Sequence, residues 1–232
     1  MGLNIVEYLS INEFNEKSFE SYNIRIKSND IKLLKSNLML NGYLGLWEKG
    51  ISPLFFSKIA KCNVSTLLLY CDLKLTIREF EILTKTGNIK EINFSMNIFY
   101  DDGSKVPLEV LLLHVPKAVD ISFSRYNIPK NSLKKLLLME RKVKLEAFRL
   151  LRLTQLPDLD LLNAFLKKNL VDRGIVKVFF ETEEMDKQFL PQIWKTFSTW
   201  EPENLKKFFL FNLLWKFCYE FKKLKNKFLQ KM

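Results

Sequence analysis

Only one histidine and seven glycines occur among the 232 residues of this chain. Sparse glycine argues against Gly-rich phosphate loops. It also argues against a fold of many tight hairpins, whose turns need Gly or Asn at positive φ. The lone histidine, His114, closes an apolar stretch (LLLHVP). Metal sites and Ser–His or Cys–His catalysis usually set a histidine beside other ligands or a nucleophile, so His114 reads as a helix-end residue. Cysteine is also scarce. Cys62, Cys71 and Cys218 are odd in number and lack metal-ligand spacing, which suits buried thiols in a reducing, intracellular compartment, cytoplasmic or nuclear. The longest apolar candidate, Phe208 to Trp215, falls far short of the roughly 20 residues that span a bilayer. The start, MGLNIVEYLS, has no basic region followed by a long apolar one, and Val6 stands where a myristoylation pattern needs Ser or Thr, so neither a secretory signal nor that lipid is expected.

Motifs that carry chemistry are missing as well. The chain has no P-loop, dinucleotide fingerprint, nucleophile elbow or zincin pattern. Asp101-Asp102-Gly103 lacks the alternating acids and closing Glu of a calcium loop and reads as a turn. Asp158, Asp160, Glu181, Glu183 and Glu184 fit helix N-terminal turns, where an acid complements the dipole. An acid/base pair would need carboxylates from separate elements facing one cleft. The expectation is a non-enzymatic chain with no catalytic, cofactor-binding or metal-ligating residues.

What the chain does contain is phenylalanine, 20 residues of it, and a formal net charge of +11. A basic balance favours acidic partners without choosing among nucleic acid, an anionic membrane face and an acidic protein. Much of the excess sits from Asn204 onward, where Lys206, Lys207, Lys216, Lys222, Lys223, Lys225, Lys227 and Lys231 face a single acid, Glu220.

Internal periodicity organises the middle. Six β-type runs begin near Leu38, Val64, Ile89, Ala118, Val143 and Ile175. Each is followed by a helix-type segment, so the period of roughly 25 to 32 residues lies in the range of leucine-rich and related repeats. The expected helices open at Ser52-Pro53, at the capping box Thr76–Glu79, near Pro107, after Asn131-Ser132, at Asp158, and through Phe189, Ile193 and Trp194. The first is expected to draw apolar packing from Leu54, Phe55, Ile59 and Ala60. One strand and one helix cannot bury their own apolar faces, whereas stacked copies make a continuous sheet, a helix layer and a core between them. Connections of this length suit a parallel sheet. The fold class expected is therefore α/β: a degenerate leucine-rich-repeat-like strand–helix solenoid with a parallel sheet and no regular Asn ladder. An ordinary α/β domain with a parallel sheet is the alternative.

Three regions follow. Residues 1–37 are polar and mixed, with a strand expected at Tyr22–Ile26, and would cap the first repeat or stay partly ordered. Residues 38–200 form the repeat domain. Residues 201–232 change to a Lys- and Phe-rich segment after Pro202, expected as a basic amphipathic helix. That helix would cap the last repeat, or bind an anionic membrane or nucleic acid.

Several stretches resemble a divergent group of nematode proteins related to F-box proteins. They are Leu67–Leu75 (LLLYCDLKL), Glu79–Ile89 (EFEILTKTGNI), Asp101–Leu113, Phe123–Leu136 and Arg141–Asn169. The resemblance spans roughly Val64 to Trp200. It implies a leucine-rich-repeat-like region that, in some relatives, follows an F-box docked on a Skp-type adaptor of a ubiquitin ligase while the repeats select a target. No L-P-x-E-type helical F-box stands in residues 1–60, so only the recognition half of that role carries over.

The functional expectation is thus a protein-interaction module that binds a protein partner through the exposed face of its strands. Strand alternation nominates Asp120, Ser122, Ser124, Lys144, Glu146, Phe148, Lys177 and Phe179 as outward residues, with the two phenylalanines as candidate hot spots.

Overall fold

A computed structural model describes residues 4–11, 24–26, 31, 32, 34, 36–46, 53–70, 74–197 and 200. The elements in chain order begin with strands β1 (Asn4–Ile11), β2 (Ile24–Ile26) and β3 (Leu38–Leu46), helix α1 (Pro53–Ser57) and strand β4 (Ile59–Leu69). They continue with β5 (Leu75–Thr76), α2 (Ile77–Thr84), β6 (Glu91–Phe94), β7 (Ile98–Phe99), α3 (Leu108–Leu113) and β8 (Asp120–Ser124). The last are α4 (Lys130–Leu138), β9 (Leu145–Leu153), α5 (Leu159–Asn169), β10 (Leu170–Phe180) and α6 (Glu183–Phe197).

Among the described residues the strands make one eight-stranded sheet, in the order β10-β9-β8-β6-β4-β3-β1-β2, and a two-stranded sheet of β5 and β7. Every named pair is parallel. The molecule is therefore α/β with a parallel sheet. From β3 onward each strand of the large sheet lies beside that sheet's next strand in sequence, because the intervening helix is long enough to return the chain to the same end of the sheet.

Local signals place most helices where the sequence puts them. The capping box at α2 is formed: Thr76 Oγ1 accepts from the Glu79 amide at 3.3 Å, and the Glu79 carboxylate accepts from the Thr76 amide at 2.8 Å. Asp158 caps α5 by accepting from the Leu161 amide at 3.1 Å. Glu183 and Glu184 stand in the first turn of α6. His114 follows the last residue of α3. The C-terminal end of α4 is closed from its neighbour: Lys168 Nζ donates to the carbonyls of Leu137 at 3.0 Å and Met139 at 3.2 Å, a cation at the negative end of the dipole.

Some boundaries differ. Ile59 and Ala60, expected to serve the first helix, belong to β4, and α1 stops at Ser57. β10 begins at Leu170, immediately after α5. At the N-terminal side, β2 falls inside the expected Tyr22–Ile26 strand, whereas β1 is an addition to the expected strands, in a run (NIVEYLSI) whose Ile, Val and Tyr residues suit it. It inserts between β2 and β3, so residues 1–37 contribute strands to the sheet. The expected C-terminal helix lies outside the described residues.

The core sits between sheet and helices and is built on phenylalanine. Phe94 of β6 and Phe123 of β8 are register partners, and their rings stack at 5.0 Å with 3° between planes. Phe80 of α2 packs on Phe94 at 5.8 Å. Phe148 of β9 bridges Phe123 at 6.0 Å and Phe165 of α5 at 5.5 Å. All five are buried. A chain of stacked, tilted and edge-on rings running through successive units gives the layers both burial and directional packing.

Candidate functional site

A bulge governs which side chains leave the core. In β8 the amides of Val119 and Asp120 both donate to the Lys90 carbonyl, at 2.8 and 3.0 Å. In β9 the amides of Glu146 and Ala147 both donate to the Val119 carbonyl, at 2.7 and 3.0 Å. β4 carries an extra residue, Ser65, against β3, since Gly42 pairs with Val64 and Tyr43 with Thr66. Two residues opposite one reverse the alternation beyond that point.

This corrects the strand assignment of Phe148. Counted by twos from Lys144, it shares a face with Lys144 and Glu146. The bulge at Glu146–Ala147 turns it inward, and it is 0% exposed between Phe123 and Phe165. Phe148 is a core residue and offers no surface contact. Ser122 is also buried, at 5% exposure. Asp120, Ser124, Lys177 and Phe179 are half-buried, and Lys144 and Glu146 are exposed on the other side of the bulge.

Beyond the bulge, strand register brings the nominated residues of β8 and β10 onto one face, with Ala147, Arg149 and Leu151 of β9 beside them. Asn93, Ser122, Arg149 and Lys177 form one cross-strand row. Asp120, Ala147 and Ile175 form the row before it. Ser124 pairs with Leu151 in the row after it. The alternate residues of the same strands, Ile121, Phe123, Phe148, Leu150, Val176 and Val178, are buried against the helices. Arg149 Nη1 makes an ion pair with the Asp120 carboxylate. Alternation does not nominate Arg149, because the run LEAFRLLRL has no strict period of two. Its signal is a charged residue held between apolar neighbours, which a strand tolerates only by turning it to the wet face.

At the strand C-termini two more arginines stand out. Arg125 follows β8 at φ 58°, and Arg152 lies in β9 at φ 54°. Left-handed backbone is natural for Gly or Asn and costs an ordinary residue about 1 kcal/mol or more. Arg125 donates its amide to the Leu151 carbonyl at 2.8 Å, so the two arginines are cross-strand neighbours. Both are exposed. Just past them Asn127 Nδ2 donates to Thr154 Oγ1 at 2.7 Å. The opposite end of the sheet has its own polar chain: Asn88 Nδ2 donates to Asn63 Oδ1 at 2.7 Å, and Lys117 Nζ to Asn88 Oδ1 at 2.8 Å. These short chains link successive units, though they do not make a regular Asn ladder.

The helix side holds an open groove lined by Arg78, Glu81, Lys85, Leu113, His114 and Pro116, among others. His114 Nε2 lies 4.0 Å from a Glu81 carboxylate oxygen, and its ring packs edge-on against Phe80 at 5.8 Å. No serine, threonine or cysteine hydroxyl or thiol is bonded to it among the described residues. Burial pushes the Cys62 thiol up to about 12, which removes the thiolate a nucleophile needs at neutral pH. Tyr126 is likewise raised to about 12 by burial and by the nearby Glu109 charge. Its hydroxyl donates to the Val106 carbonyl at 3.2 Å. Among the described residues no group of three or more His, Cys, Asp or Glu side chains could hold a metal ion, and no helix is long and apolar enough to cross a membrane. No protein-family model, curated protein or solved structure matches this chain.

Proposed function

We propose that this chain is a non-enzymatic interaction module, a degenerate strand–helix solenoid that binds a protein partner through the face of its sheet turned away from the helices. The observation that carries the reading is the mixed row on that face: the half-buried Asn93, Arg149 and Lys177 in register around the small buried Ser122, bordered by the half-buried Ile175 and Leu151. Polar and charged groups interleaved with apolar side chains are the usual composition of a protein-binding patch, in which contact area gives affinity and charges give orientation. The solenoid reading is supported by the sequential strand order and by bulges at corresponding places in β4, β8 and β9. Neighbouring units that repeat the same irregularity behave as copies of one supersecondary unit.

The resemblance to F-box-related proteins makes the bound protein a selected target, as in the recognition region of a ubiquitin-ligase subunit. Adaptor docking is not part of the proposal.

Affinity capture with the full chain tests it. Three baits are compared: the natural chain, an open-face variant (Ser124→Glu with Lys177→Glu) and a helix-face variant (Lys134→Glu with Lys167→Glu). A protein recovered with the first and third baits and lost from the second supports the reading. Loss from the helix-face bait alone, or an identical set from all three, defeats it. Recovery of a Skp-type adaptor and a cullin would add the ligase role, and a specific partner without them would leave a plain binding module.

A further inference from the structure

We infer that Arg125 and Arg152 form a carboxylate-binding clamp at the C-terminal end of β8 and β9, and that it receives an acidic segment of the protein partner. The inference rests on the binding role proposed above and names the chemistry of its partner.

Two unfavourable features coincide at this spot. Each arginine holds a left-handed backbone, with φ 58° and 54°, where glycine would be unstrained. They also stand side by side at the ends of neighbouring strands, whose backbones a parallel sheet spaces about 4.8 Å apart, and like charges on directly opposite residues are unfavourable. Among the described residues neither has an ion pair or a side-chain hydrogen bond. Asp120, at the far end of β8, is engaged by Arg149. The acid next to the pair is the exposed Glu181, whose amide donates to the Leu153 carbonyl at 2.9 Å and whose carboxylate makes no ion pair with Arg152. Lys177 adds a further cation in the Arg149 row, three residues back along β9, without an ion pair among the described residues. Strained backbone clusters where a structure serves recognition, and an open parallel sheet presents its ligand sites at the carboxyl ends of its strands.

The pair fits carboxylates better than nucleic acid. A guanidinium presents a planar fork that matches a carboxylate. A nucleic-acid track needs a run of phosphate contacts and several aromatic platforms for the bases, but Tyr126 beside Arg125 is packed against Phe123 at 5.7 Å with its hydroxyl donated to a carbonyl, which leaves the half-buried Phe179 as the one ring that β8, β9 and β10 carry on this face. The half-buried Leu151 beside the arginines supplies the apolar contact that a protein segment would use.

Fluorescence anisotropy with the full chain tests the clamp. The probes are a short fluorescein-labelled poly-Glu peptide, its poly-Gln counterpart and single-stranded oligo-dT. The informative variant is Arg125→Gly with Arg152→Gly, which keeps the backbone geometry, relieves its strain and removes two charges. Lys134→Gln with Lys167→Gln removes two charges from the helix side. The expected result is binding of poly-Glu but not poly-Gln. The arginine variant should weaken it by about tenfold and the lysine variant by less than about twofold. The arginine variant should unfold no more readily than the natural chain. Equal weakening by both variants would reduce the effect to net charge and overturn the clamp, as would absence of poly-Glu binding. Tighter oligo-dT binding that the arginine variant abolishes would reassign the site to nucleic acid. If the arginine variant still captures a partner that the open-face variant loses, the clamp fails while the interaction module stands.

Discussion

Replacing Phe148 with alanine separates two accounts of the fold. If strict alternation ran unbroken through β9, Phe148 would stand on the solvent face, and truncating it would change stability by no more than about 0.5 kcal/mol. The bulge at Glu146–Ala147 puts it at 0% exposure instead, against Phe123 at 6.0 Å and Phe165 at 5.5 Å. A buried Phe→Ala change costs about 3–5 kcal/mol in transfer energy and residual cavity. Phe148 packs against two other rings, and removing it deprives both of a neighbour, which places Phe148→Ala in the upper part of that range, at about 4–5 kcal/mol. With a urea slope of about 2.5 kcal/mol per molar, the unfolding midpoint should fall by roughly 1.5–2 M. The assay is equilibrium urea unfolding followed by far-UV circular dichroism and by tryptophan fluorescence. Phe148→Leu should cost less, about 1.5 kcal/mol, since most of the volume remains. Glu146→Ala, one step across the bulge and exposed, should lie within about 0.5 kcal/mol of the natural chain. A Phe148→Ala loss under about 1 kcal/mol at unchanged slope would refute the phase reversal, and with it the assignment of the open face.

Three further outcomes follow from particular interactions. Thr76→Ala removes an N-cap whose capping box is formed on both sides and should cost about 1 kcal/mol; a double-mutant cycle with Glu79→Ala should show coupling, and additive losses would contradict the box. The hydrogen bond from Lys130, with that from the Leu161 amide, holds the Asp158 carboxyl below its usual range. Its contribution to stability is then present above the unfolded value near 3.9 and is lost as pH falls through the lower folded value. The stability gap between the natural chain and Asp158→Asn, read by urea unfolding from neutral to strongly acid pH, should therefore close on acidification; a gap independent of pH would rule out the charged contact. In a chain carrying Cys71→Ser and Cys218→Ser, the Cys62 thiol, buried and raised to about 12, should ignore a disulfide reagent at pH 8 until urea unfolds the protein, and rapid reaction under native conditions would place it at the surface.

Local chemistry was legible from the residues. The Thr76–Glu79 box, the Asp158 cap, the acidic first turn of α6 and the turn at Asp101–Gly103 depend on groups within a few positions of one another, so their spacing suffices to identify them. The α/β class and the parallel sheet were legible for a related reason: strand-type and helix-type runs alternate at nearly constant spacing, and only a parallel sheet joins them with connections of that length. β1 was legible only in composition: Ile5, Val6, Tyr8, Leu9 and Ile11 suit a strand, but they do not alternate strictly, and the register shift between Val6 and Tyr8 is set by pairing with β3.

The open face shows where sequence reasoning stops. Alternation correctly set Asp120 and Ser124 opposite Ile121 and Phe123 within β8. The same count failed at Phe148 because a bulge is a property of two strands. Glu146 and Ala147 share one carbonyl of the neighbouring chain segment, and nothing in LEAFRLLRL alone records that sharing. The pairing of Arg149 with Asp120 and the adjacency of Arg125 and Arg152 arise in the same way, from register across units roughly 27 residues apart. The amino-acid order by itself determined the kinds of elements, their caps and the apolar content of the core, since these depend on neighbours along the chain. Tertiary structure alone decided which side chains face outward past the bulge and which charges meet, since both depend on how one strand is registered against the next.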